Sequence, residues 1–326
     1  MSQSNREGSG QFSRRGFLRG VGGVTVAAGM TSYLTSQAIF GQGAAPSAGL
    51  RFVHLTDIHL MMRRKSDAGL AACLDYIAKL NPKPQFIMAG GDQCDNLRAE
   101  DIAGGKARLD LFSRIWKAHT DLPTYYCLGN HDPVGWSNRN VSRDDPQYGK
   151  QLMMDVLGMK RRFYGFGMGG WRFIVLDNVE PTASGFKGEF VQEQLEFVRN
   201  ELREHTGEPT IVICHIPPIS AEEFLGGKIQ AGDNGWTVGY SRVTSNPADL
   251  VAALEGSNVK CVLSGHIHHV EHIETHGQTF ICGGAVSGNW WQGPLRGCPE
   301  GFGVVDCLSD GTFRYKYQDF GWKSEA

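Results

Sequence analysis

Five short polar motifs constrain this chain more than any other feature, because each follows an apolar run typical of a β-strand. In chain order they are Asp57-Ile58-His59, Gly91-Asp92, Gly129-Asn130-His131-Asp132, Cys214-His215 and Gly265-His266-Ile267-His268. The ends of strands that are far apart in sequence can meet at one edge of a sheet. The arrangement therefore predicts that the motifs converge in a single cleft.

The apolar patterns between the motifs alternate between strand and helix, and then turn β-rich. The predicted strands are 50–56, 85–89, 124–128, 162–166, 171–176, 210–214, 259–263, 270–275, 279–282, 303–307 and 313–317, and the predicted helices are 68–80, 106–119, 189–205 and 248–255. This order predicts an α/β fold in which two mixed β-sheets pack as a sandwich flanked by helices. The glycine-rich stretch 217–246 predicts a functional loop or lid beside His215.

Composition excludes several classes of protein. Hydrophobic residues make up 41% of the 326 residues and charged residues 20%, which is typical of a globular protein and not of a disordered one. The net charge of −2 gives no reason to expect a nucleic acid partner. After the N-terminal segment the sequence has no apolar window of about 18 residues, so a transmembrane domain is not expected. The oligomeric state cannot be inferred from these values.

The N-terminal segment resembles a twin-arginine export signal. Ser13-Arg14-Arg15-Gly16-Phe17-Leu18-Arg19 precedes a mildly apolar stretch over 21–34. We expect a signal peptide over 1–38, a linker over 39–49 and a single domain over 50–326 with a β-rich C-terminal part. The signal implies the twin-arginine machinery as a partner, a periplasmic or extracellular location, and no stable membrane insertion after cleavage. A basic tail or an uncleaved membrane tether are the alternatives.

The eight cysteines do not form a metal-binding pattern. Four lie in or beside apolar runs, which favours buried thiols: Cys94, Cys127, Cys214 and Cys261. The absence of any Cys-x-x-Cys spacing argues against a thiolate zinc site. Only Cys282, Cys298 and Cys307 are left as plausible partners in a disulfide.

The ligand-type residues in the motifs are numerous enough for two metal ions. A lone aspartate or histidine at a strand end usually caps a helix or packs in the core. Asp57 and His59, however, stand at alternate positions, which would place both side chains on one side of a strand. His266 and His268 repeat this spacing. The sequence therefore predicts a dinuclear site with carboxylate, amide and imidazole ligands: Asp57, His59, Asp92, Asn130, His215, His266 and His268.

The motif series resembles that of the calcineurin-like metallophosphoesterases over roughly residues 51–280. This resemblance implies a first metal held by Asp57, His59, Asp92 and His268, and a second held by Asp92, Asn130, His215 and His266, with Asp92 bridging. Two divalent ions, Mn, Fe or Zn, would activate a bridging hydroxide for in-line attack on a small phosphoester substrate. His131 would act at the leaving-group oxygen, and Asp132 would orient the His131 ring.

Differences from two other branches of this family, the purple acid phosphatases and the phosphoprotein phosphatases, favour a third branch. This is the bacterial phosphodiesterase branch, which includes cyclic-nucleotide and glycerophosphodiester hydrolases. Asp95 stands where purple acid phosphatases carry a tyrosine ligand. Asn96 and Asp132 stand where phosphoprotein phosphatases carry an arginine and a glutamate. With no obvious arginine to hold a dianionic phosphate, a diester is the expected substrate. A broad-specificity phosphomonoesterase and a non-catalytic metal-bound binding protein are the alternatives.

The paired tryptophans Trp290-Trp291 stand in a run of small residues, 283–289. They would either close a small hydrophobic cluster or form a wall of the substrate pocket. Both interpretations stay open from the sequence.

Overall fold

Two β-sheets face each other across a shared apolar core in the computed structural model, which describes residues 48–233 and 235–324. The strands are β1 (Ala48–Leu55), β2 (Phe86–Ala89), β3 (Thr124–Tyr126), β4 (Tyr164–Met168), β5 (Trp171–Val175), β6 (Val179–Pro181), β7 (Phe186–Gly188), β8 (Thr210–Ile213), β9 (Gln230–Gly232), β10 (Gly235–Thr237), β11 (Val259–Ser264), β12 (Glu271–Thr275), β13 (Gln278–Cys282), β14 (Gly301–Leu308) and β15 (Phe313–Asp319). The helices are α1 (Ser66–Ala78), α2 (Ile102–His119), α3 (Gln151–Leu157), α4 (Gln192–Glu204), α5 (Glu222–Leu225) and α6 (Pro247–Leu254), and a short 3-10 helix covers Leu97–Ala99.

The topology explains why the motifs converge. The first sheet has the order β15-β14-β1-β2-β3, and the second has the order β12-β13-β11-β8-β5-β4. Strands β1, β2 and β3 run parallel to one another, and β8 is parallel to β11 in the second sheet. These are the five strands that the polar motifs follow, so the motifs leave each sheet at the same edge.

The core divides into three apolar layers. Aromatic rings from both sheets meet in the middle layer, where Phe52 stacks on Phe86 at 4.7 Å and Phe173 packs edge-on against Phe52 at 5.5 Å. Helices α1, α2 and α3 cover the outer face of the first sheet, whereas α4 and α6 cover that of the second. The predicted sandwich of two mixed sheets flanked by helices is confirmed.

Helix α2 begins four residues before the predicted start at 106. The Asp101 carboxylate caps it by accepting a hydrogen bond from the Gly104 amide at 2.7 Å. Gly104 and Gly105 weaken the helical pattern in the sequence, because glycine is a poor helix former. Gly105 is nevertheless suited to its place, since a Cβ there would lie 3.1 Å from Val134. Packing against the neighbouring loop thus extends the helix.

The predicted loop at 217–246 has structure of its own. It contains α5 and the β9–β10 hairpin, and Arg242 bonds the buried carboxylate of Glu223 through two nitrogens at 2.7 and 3.0 Å. Its apolar tip is open to solvent, with Leu225 85% and Trp236 68% exposed. The segment is therefore fixed at its base and exposed at its tip.

One tyrosine joins the outer edges of the two sheets. Strand β3 ends the first sheet, and β4 ends the second. The Tyr164 hydroxyl accepts a hydrogen bond from the Tyr126 amide at 2.9 Å and donates one to the Tyr126 carbonyl at 3.0 Å. A single side chain from one sheet thus occupies both backbone groups of an edge residue in the other.

Several predictions concern termini and cysteines. The predicted signal peptide and residues 39–47 of the linker lie outside the described residues. Within 48–233 and 235–324, no helix has the length and apolar character needed to cross a membrane. All eight cysteines are buried free thiols, so no disulfide links Cys282, Cys298 and Cys307.

Candidate metal centre

The ligand pairs lie in loops beyond the strands, which corrects the expected geometry. The four residues of the two pairs adopt left-handed backbone conformations, with φ of 55° at Asp57, 45° at His59, 72° at His266 and 58° at His268, and Asp92 does so with φ of 54°. Such angles are uncommon in residues that carry a Cβ, and they cluster at functional sites. Alternation along a strand is therefore the wrong reason for the convergence of each pair.

Backbone hydrogen bonds between the loops hold this conformation. The Asp57 amide donates to the Gly91 carbonyl at 3.0 Å, and the His59 amide donates to the Asp92 carbonyl at 2.9 Å. The loop after β1 is thus joined to the loop after β2. This pairing places the aspartates of two motifs beside each other.

The first group of candidate ligands contains Asp57, His59 and His268, all buried. The Asp57 Oδ1 atom lies 3.7 Å from Nε2 of His59 and 3.3 Å from Nε2 of His268. This oxygen has no hydrogen-bond partner among the described residues. The two Nε2 atoms are 2.9 Å apart. A buried carboxylate oxygen that faces imidazole nitrogens without a proton donor is suited to a divalent cation.

The second group lies around Asp92. The Asp92 Oδ2 atom is 3.3 Å from Nε2 of His215 and 3.6 Å from Nε2 of His59, so this carboxylate stands between the two groups. The same His215 nitrogen is 3.1 Å from Oδ1 of Asn130. His266 completes a cluster with Asp92 and His215. The structure therefore brings together all seven predicted ligands.

Backbone carbonyls orient three of the imidazoles. Nδ1 of His215 lies 3.0 Å from the Gly90 carbonyl, and Nδ1 of His268 lies 2.7 Å from the Gly288 carbonyl. Both rings thus direct Nε2 toward the centre. His266 is reversed, since its Nε2 lies 2.8 Å from the Ser241 carbonyl and Nδ1 is left for the Asp92 group. Such outer hydrogen bonds fix the tautomer and direction of ligand histidines.

The carboxylates dominate the electrostatics of the cleft. Burial opposes a charge on His59 and His215, yet the carboxylates of Asp57, Asp92 and Asp95 raise the pKa of His59 to about 10, and Asp92 and Asp57 raise that of His215 to about 9. Burial acts against ionisation of Asp92, but His215 and His131 hold its pKa far below the usual range. The carboxylates thus favour positive charge in the cleft, which bound cations would supply.

His131 is at the rim, and its partners differ from the expected one. Its side chain is 17% exposed, and its backbone amide donates to Asp92 Oδ1 at 2.6 Å. Nδ1 of the ring accepts a hydrogen bond from the Asn96 amide at 3.0 Å and lies 3.5 Å from Oδ1 of Asp95. Asp95 also lies 3.5 Å from Nδ1 of His59. Asp95 therefore lies between two site histidines. Sequence reasoning missed this position because it considered Asp95 only as a missing tyrosine.

Asp132 does not orient the His131 ring, contrary to the sequence prediction. Its buried carboxylate accepts hydrogen bonds from the backbone amides of Gly129 at 2.7 Å, Gln93 at 2.9 Å and Asp92 at 3.0 Å. The physical reason is that the chain turns after β3 and directs the Asp132 side chain inward, toward the loop after β2. Asp132 thus fixes the backbone on which Asp92 stands.

Glycines in the motifs allow the loops to approach closely. A Cβ at Gly129 would lie 2.2 Å from Oδ1 of Asp92, and one at Gly265 would lie 2.5 Å from Oδ2 of Asp57. Both distances are too short for any side chain. The Gly-Asn and Gly-His pairs in the sequence therefore reflect packing of backbone against ligand carboxylates.

The two adjacent tryptophans have different roles. Trp291 fits the interpretation as part of a hydrophobic cluster, and Trp290 fits the interpretation as a pocket wall. Trp291 is buried, and its Nε1–H donates to the carbonyls of Ile58 at 3.0 Å and His59 at 3.1 Å. Trp290 is half-buried, with its ring 4.4 Å from that of His268 and 5.4 Å from that of His59. Trp291 is thus bonded to the first ligand loop, whereas Trp290 forms a wall of the cleft.

An arginine near the site was not expected. Arg98 follows the loop after β2, and its guanidinium carbon lies 5.0 Å above the Phe186 ring, which contacts His266 at 6.1 Å. Burial lowers the pKa of Arg98, and the nearby charges of Asp92 and Asp95 act in the opposite direction. The sequence could not reveal it, because the fold of the 3-10 helix brings residue 98 back to the cleft. The premise that no arginine lies near the site is therefore wrong.

Comparison with known proteins identifies relatives over most of the described domain. A probable cyclic nucleotide phosphodiesterase of Rhodococcus erythropolis is 25% identical over 67% of this chain and 64% of that protein, slightly less than two thirds of its length. A 3′,5′-cyclic-nucleotide phosphodiesterase of Nostoc is 22% identical over 71% of this chain and 76% of that protein. These identities are low, so they relate the chains without assigning an activity.

A solved structure shares the fold. A dimetal phosphatase of Danio rerio superposes with a TM-score of 0.60 at 15% identity, covering 84% of this chain and 97% of that one. In addition, the sequence profile of calcineurin-like phosphoesterases matches residues 50–270, which include every candidate metal ligand. The chain therefore belongs to the calcineurin-like phosphoesterase family.

Proposed function

We propose that this protein is an exported phosphoester hydrolase that uses two divalent metal ions and acts on phosphodiesters. The observation that carries the proposal is the convergence of seven ligand-type side chains around Asp57 and Asp92 at one edge of the sandwich. Asp57 Oδ1, buried without a hydrogen-bond partner among the described residues, is the atom that fits a cation best.

The residues divide between two ions with Asp92 shared. Asp57, His59, Asp92 and His268 would hold one ion, and Asp92, Asn130, His215 and His266 would hold the other. When bound, two such ions act as Lewis acids on the phosphoryl oxygens and lower the pKa of coordinated water. The mixture of imidazole, carboxylate and amide suits Mn, Fe or Zn.

His131 is proposed to stabilise the leaving oxygen. Because the Asn96 amide donates to Nδ1, the proton of the neutral ring is on Nε2. Nε2–H can then donate a hydrogen bond to the oxygen on which negative charge develops. The Asn96 amide fixes the direction of the ring, which is the role first expected of Asp132.

The relatives favour a diester as substrate. The Rhodococcus and Nostoc proteins are both named as cyclic-nucleotide phosphodiesterases, and they align with about two thirds or more of this chain. A phosphodiester carries one negative charge, so it needs less neutralisation by side chains than a monoester dianion. We therefore propose a diester as the preferred substrate class.

A second candidate, a phosphomonoesterase, is favoured by one observation. Arg98 offers a positive charge within electrostatic range of Asp92 and Asp95. An arginine in that position could bind the additional charge of a monoester.

The decisive experiment compares hydrolysis of bis-p-nitrophenyl phosphate and p-nitrophenyl phosphate by the metal-free protein after loading with Mn, Fe or Zn. We expect turnover only with metal, and a higher kcat/KM for the diester. Preference for the monoester would overturn the diester assignment. A purified protein that binds no transition metal would overturn the whole proposal.

The proposal that the protein is exported rests on the sequence of residues 13–19 alone. We propose that Arg14 and Arg15 direct the folded chain to the twin-arginine machinery, and that the enzyme acts in the periplasm or outside the cell. Cell fractionation of the natural chain and of an Arg14→Lys, Arg15→Lys variant tests this. Equal amounts of both proteins outside the cytoplasm, or of both inside it, would contradict the proposal.

A further inference from the structure

A cavity of about 600 Å³ is lined in part by the segment that follows His131 and Asp132. It is lined by Arg98, Arg139 and Arg143 together with Trp136, Tyr148 and small residues that include Gly135 and Gly185, and we name it the Arg98 cavity. Its volume is in the range of about 300–1,000 Å³ that is common for small-molecule sites.

The Arg98 cavity shares its backbone with His131. The Leu97 amide donates to the His131 carbonyl at 3.0 Å, and the Gly135 amide donates to the Leu97 carbonyl at 3.2 Å. The Ser137 amide then donates to the Arg98 carbonyl at 2.9 Å. The segment that carries the leaving-group histidine therefore continues directly into the wall of the cavity.

Phe186 connects the cavity to the metal cleft on its other side. The Arg98 guanidinium carbon lies 5.0 Å from the centre of the Phe186 ring, and the same ring packs edge-on against His266 with the ring centres 6.1 Å apart. Arg98 is thus held between the His131 loop and an aromatic ring that touches a candidate ligand. A substrate bound at the metals could reach it through its leaving group.

The cavity carries three guanidinium groups that form no ion pair among the described residues, although the charges of Asp92 and Asp95 act on Arg98. No carboxylate lines it within the part of the chain that the structure describes. The buried Nε of Arg98 has no hydrogen-bond partner among those residues. By contrast, Arg51, Arg172 and Arg242 are each bonded to a carboxylate: Asp306, Glu201 and Glu223, respectively. Unpaired guanidinium groups around a concave surface are suited to a phosphate or carboxylate.

We propose that the Arg98 cavity binds a second anionic group, a phosphate or a carboxylate, on the leaving alcohol of the substrate. The proposal rests on the proposed function, because it uses His131 to mark the leaving-group side. It narrows the substrate class to phosphodiesters whose leaving alcohol is itself charged. A neutral alcohol such as glycerol would leave the arginines without a partner.

The test uses two nucleotides that differ by one phosphate, adenosine 5′-monophosphate and adenosine 3′,5′-bisphosphate. Their inhibition of bis-p-nitrophenyl phosphate hydrolysis is measured for the metal-loaded wild type, Arg98→Gln and Arg161→Gln. Arg161 is the matched control, since it is exposed and lines a different cavity beside Tyr164. Titration calorimetry with the same nucleotides adds a readout that needs no turnover.

We expect the wild type and Arg161→Gln to bind the bisphosphate about tenfold or more tightly than the monophosphate, because a charge-assisted hydrogen bond gives that much discrimination. Arg98→Gln should reduce the preference to about twofold or less. If Arg98→Gln fails to fold, the exposed pair Arg139→Gln, Arg143→Gln is measured instead, with a smaller decrease expected.

Three results would overturn the inference while leaving the proposed function intact. The first is equal binding of the two nucleotides by the wild type. The second is an equal loss of affinity for both nucleotides in Arg98→Gln. The third is a selective loss of p-nitrophenyl phosphate hydrolysis in Arg98→Gln, which would place Arg98 on the reacting phosphate. Absence of hydrolysis in the wild type would instead contradict the proposed function, and calorimetry would still decide the binding question.

Discussion

The candidate metal centre and the Arg98 cavity lie side by side but are built in opposite ways. At the centre the ligand side chains are buried, the backbone is left-handed at five candidate ligands, and carboxylates face imidazoles. The cavity is open to solvent, and two of its three arginines are exposed. The metal centre is fixed by packing and hydrogen bonds around each ligand, whereas the Arg98 cavity is formed by side chains that project from a shared loop.

This difference predicts which property of the protein a substitution in each region should change. A change at a buried ligand disturbs neighbours that cannot relax, because their positions are set by backbone hydrogen bonds and by glycines without room for a Cβ. A change at an exposed arginine should alter only what the cavity attracts. Stability and metal content should therefore depend on the centre, and substrate preference on the cavity.

The largest effect is expected for Asp92→Asn. This residue lies between both ligand groups, and the substitution keeps its size while removing its charge. We expect the metal content to fall from two ions per chain and kcat/KM to drop by about a thousandfold or more, as for the loss of a bridging ligand. Elemental analysis and turnover of bis-p-nitrophenyl phosphate measure both. Asp75→Asn, an exposed carboxylate paired with His119, is the control, and equal behaviour of the two variants would disprove the shared-ligand role.

His131→Ala should have the next largest effect and should separate chemistry from metal binding. Because the ring stands at the rim and is proposed to act on the leaving oxygen, we expect kcat to fall by about 100- to 10,000-fold with both metals retained. Metal analysis of the same sample is essential, since His131 also lies in a cluster with His59 and Asp92. Loss of one ion would make His131 a ligand and would extend the centre toward the cavity.

Trp291→Phe tests whether the centre depends on its outer hydrogen bonds. The substitution keeps an aromatic ring but removes the Nε1–H that binds the carbonyls of Ile58 and His59. We expect metal affinity to fall by about tenfold, as is typical of outer-shell partners. Calorimetric metal titration of Trp290→Phe, whose ring forms no hydrogen bond to a ligand loop among the described residues, should give the wild-type affinity. An equal decrease in both variants would indicate general packing instead of a specific bond.

The smallest effects should follow Arg139→Gln combined with Arg143→Gln. Both side chains are exposed and form no ion pair with any other residue in the described ranges. The free energy of unfolding should change by less than about 0.5 kcal/mol. Metal content should stay at the wild-type value, while affinity for adenosine 3′,5′-bisphosphate should fall about two- to threefold. A change in metal content would show that the two regions are not independent.

Much of the fold could be predicted from the sequence, because strand and helix patterns are local. The strands that precede the motifs were expected, and their parallel order explains why the motifs meet. The start of α2 was missed because Gly104 and Gly105 obscure a helix that packing stabilises. Helix α3, only seven residues long, gives too short a pattern to recognise.

The site was less predictable in its details than in its members. The motifs identified the seven candidate ligands, but alternation on a strand was a wrong reason for pairs such as Asp57 and His59. The orientation of Asp132 and the approach of Arg98 depend on how loops turn after the strands end. Such turns are set by contacts between distant segments, which one sequence does not display. The same limit applies to the cysteines. Whether two thiols come close enough to form a disulfide also depends on contacts between distant segments.

The tyrosine that joins β3 to β4 has a consequence for behaviour in concentrated solution. The last strand of an open sheet offers unpaired amides and carbonyls to which another molecule could add its own strand. Strand β3 is only three residues long, and the Tyr164 hydroxyl occupies both outward groups of Tyr126. The side of the sandwich where β3 and β4 meet is thereby protected from intermolecular strand addition, and this phenol serves as a barrier to aggregation.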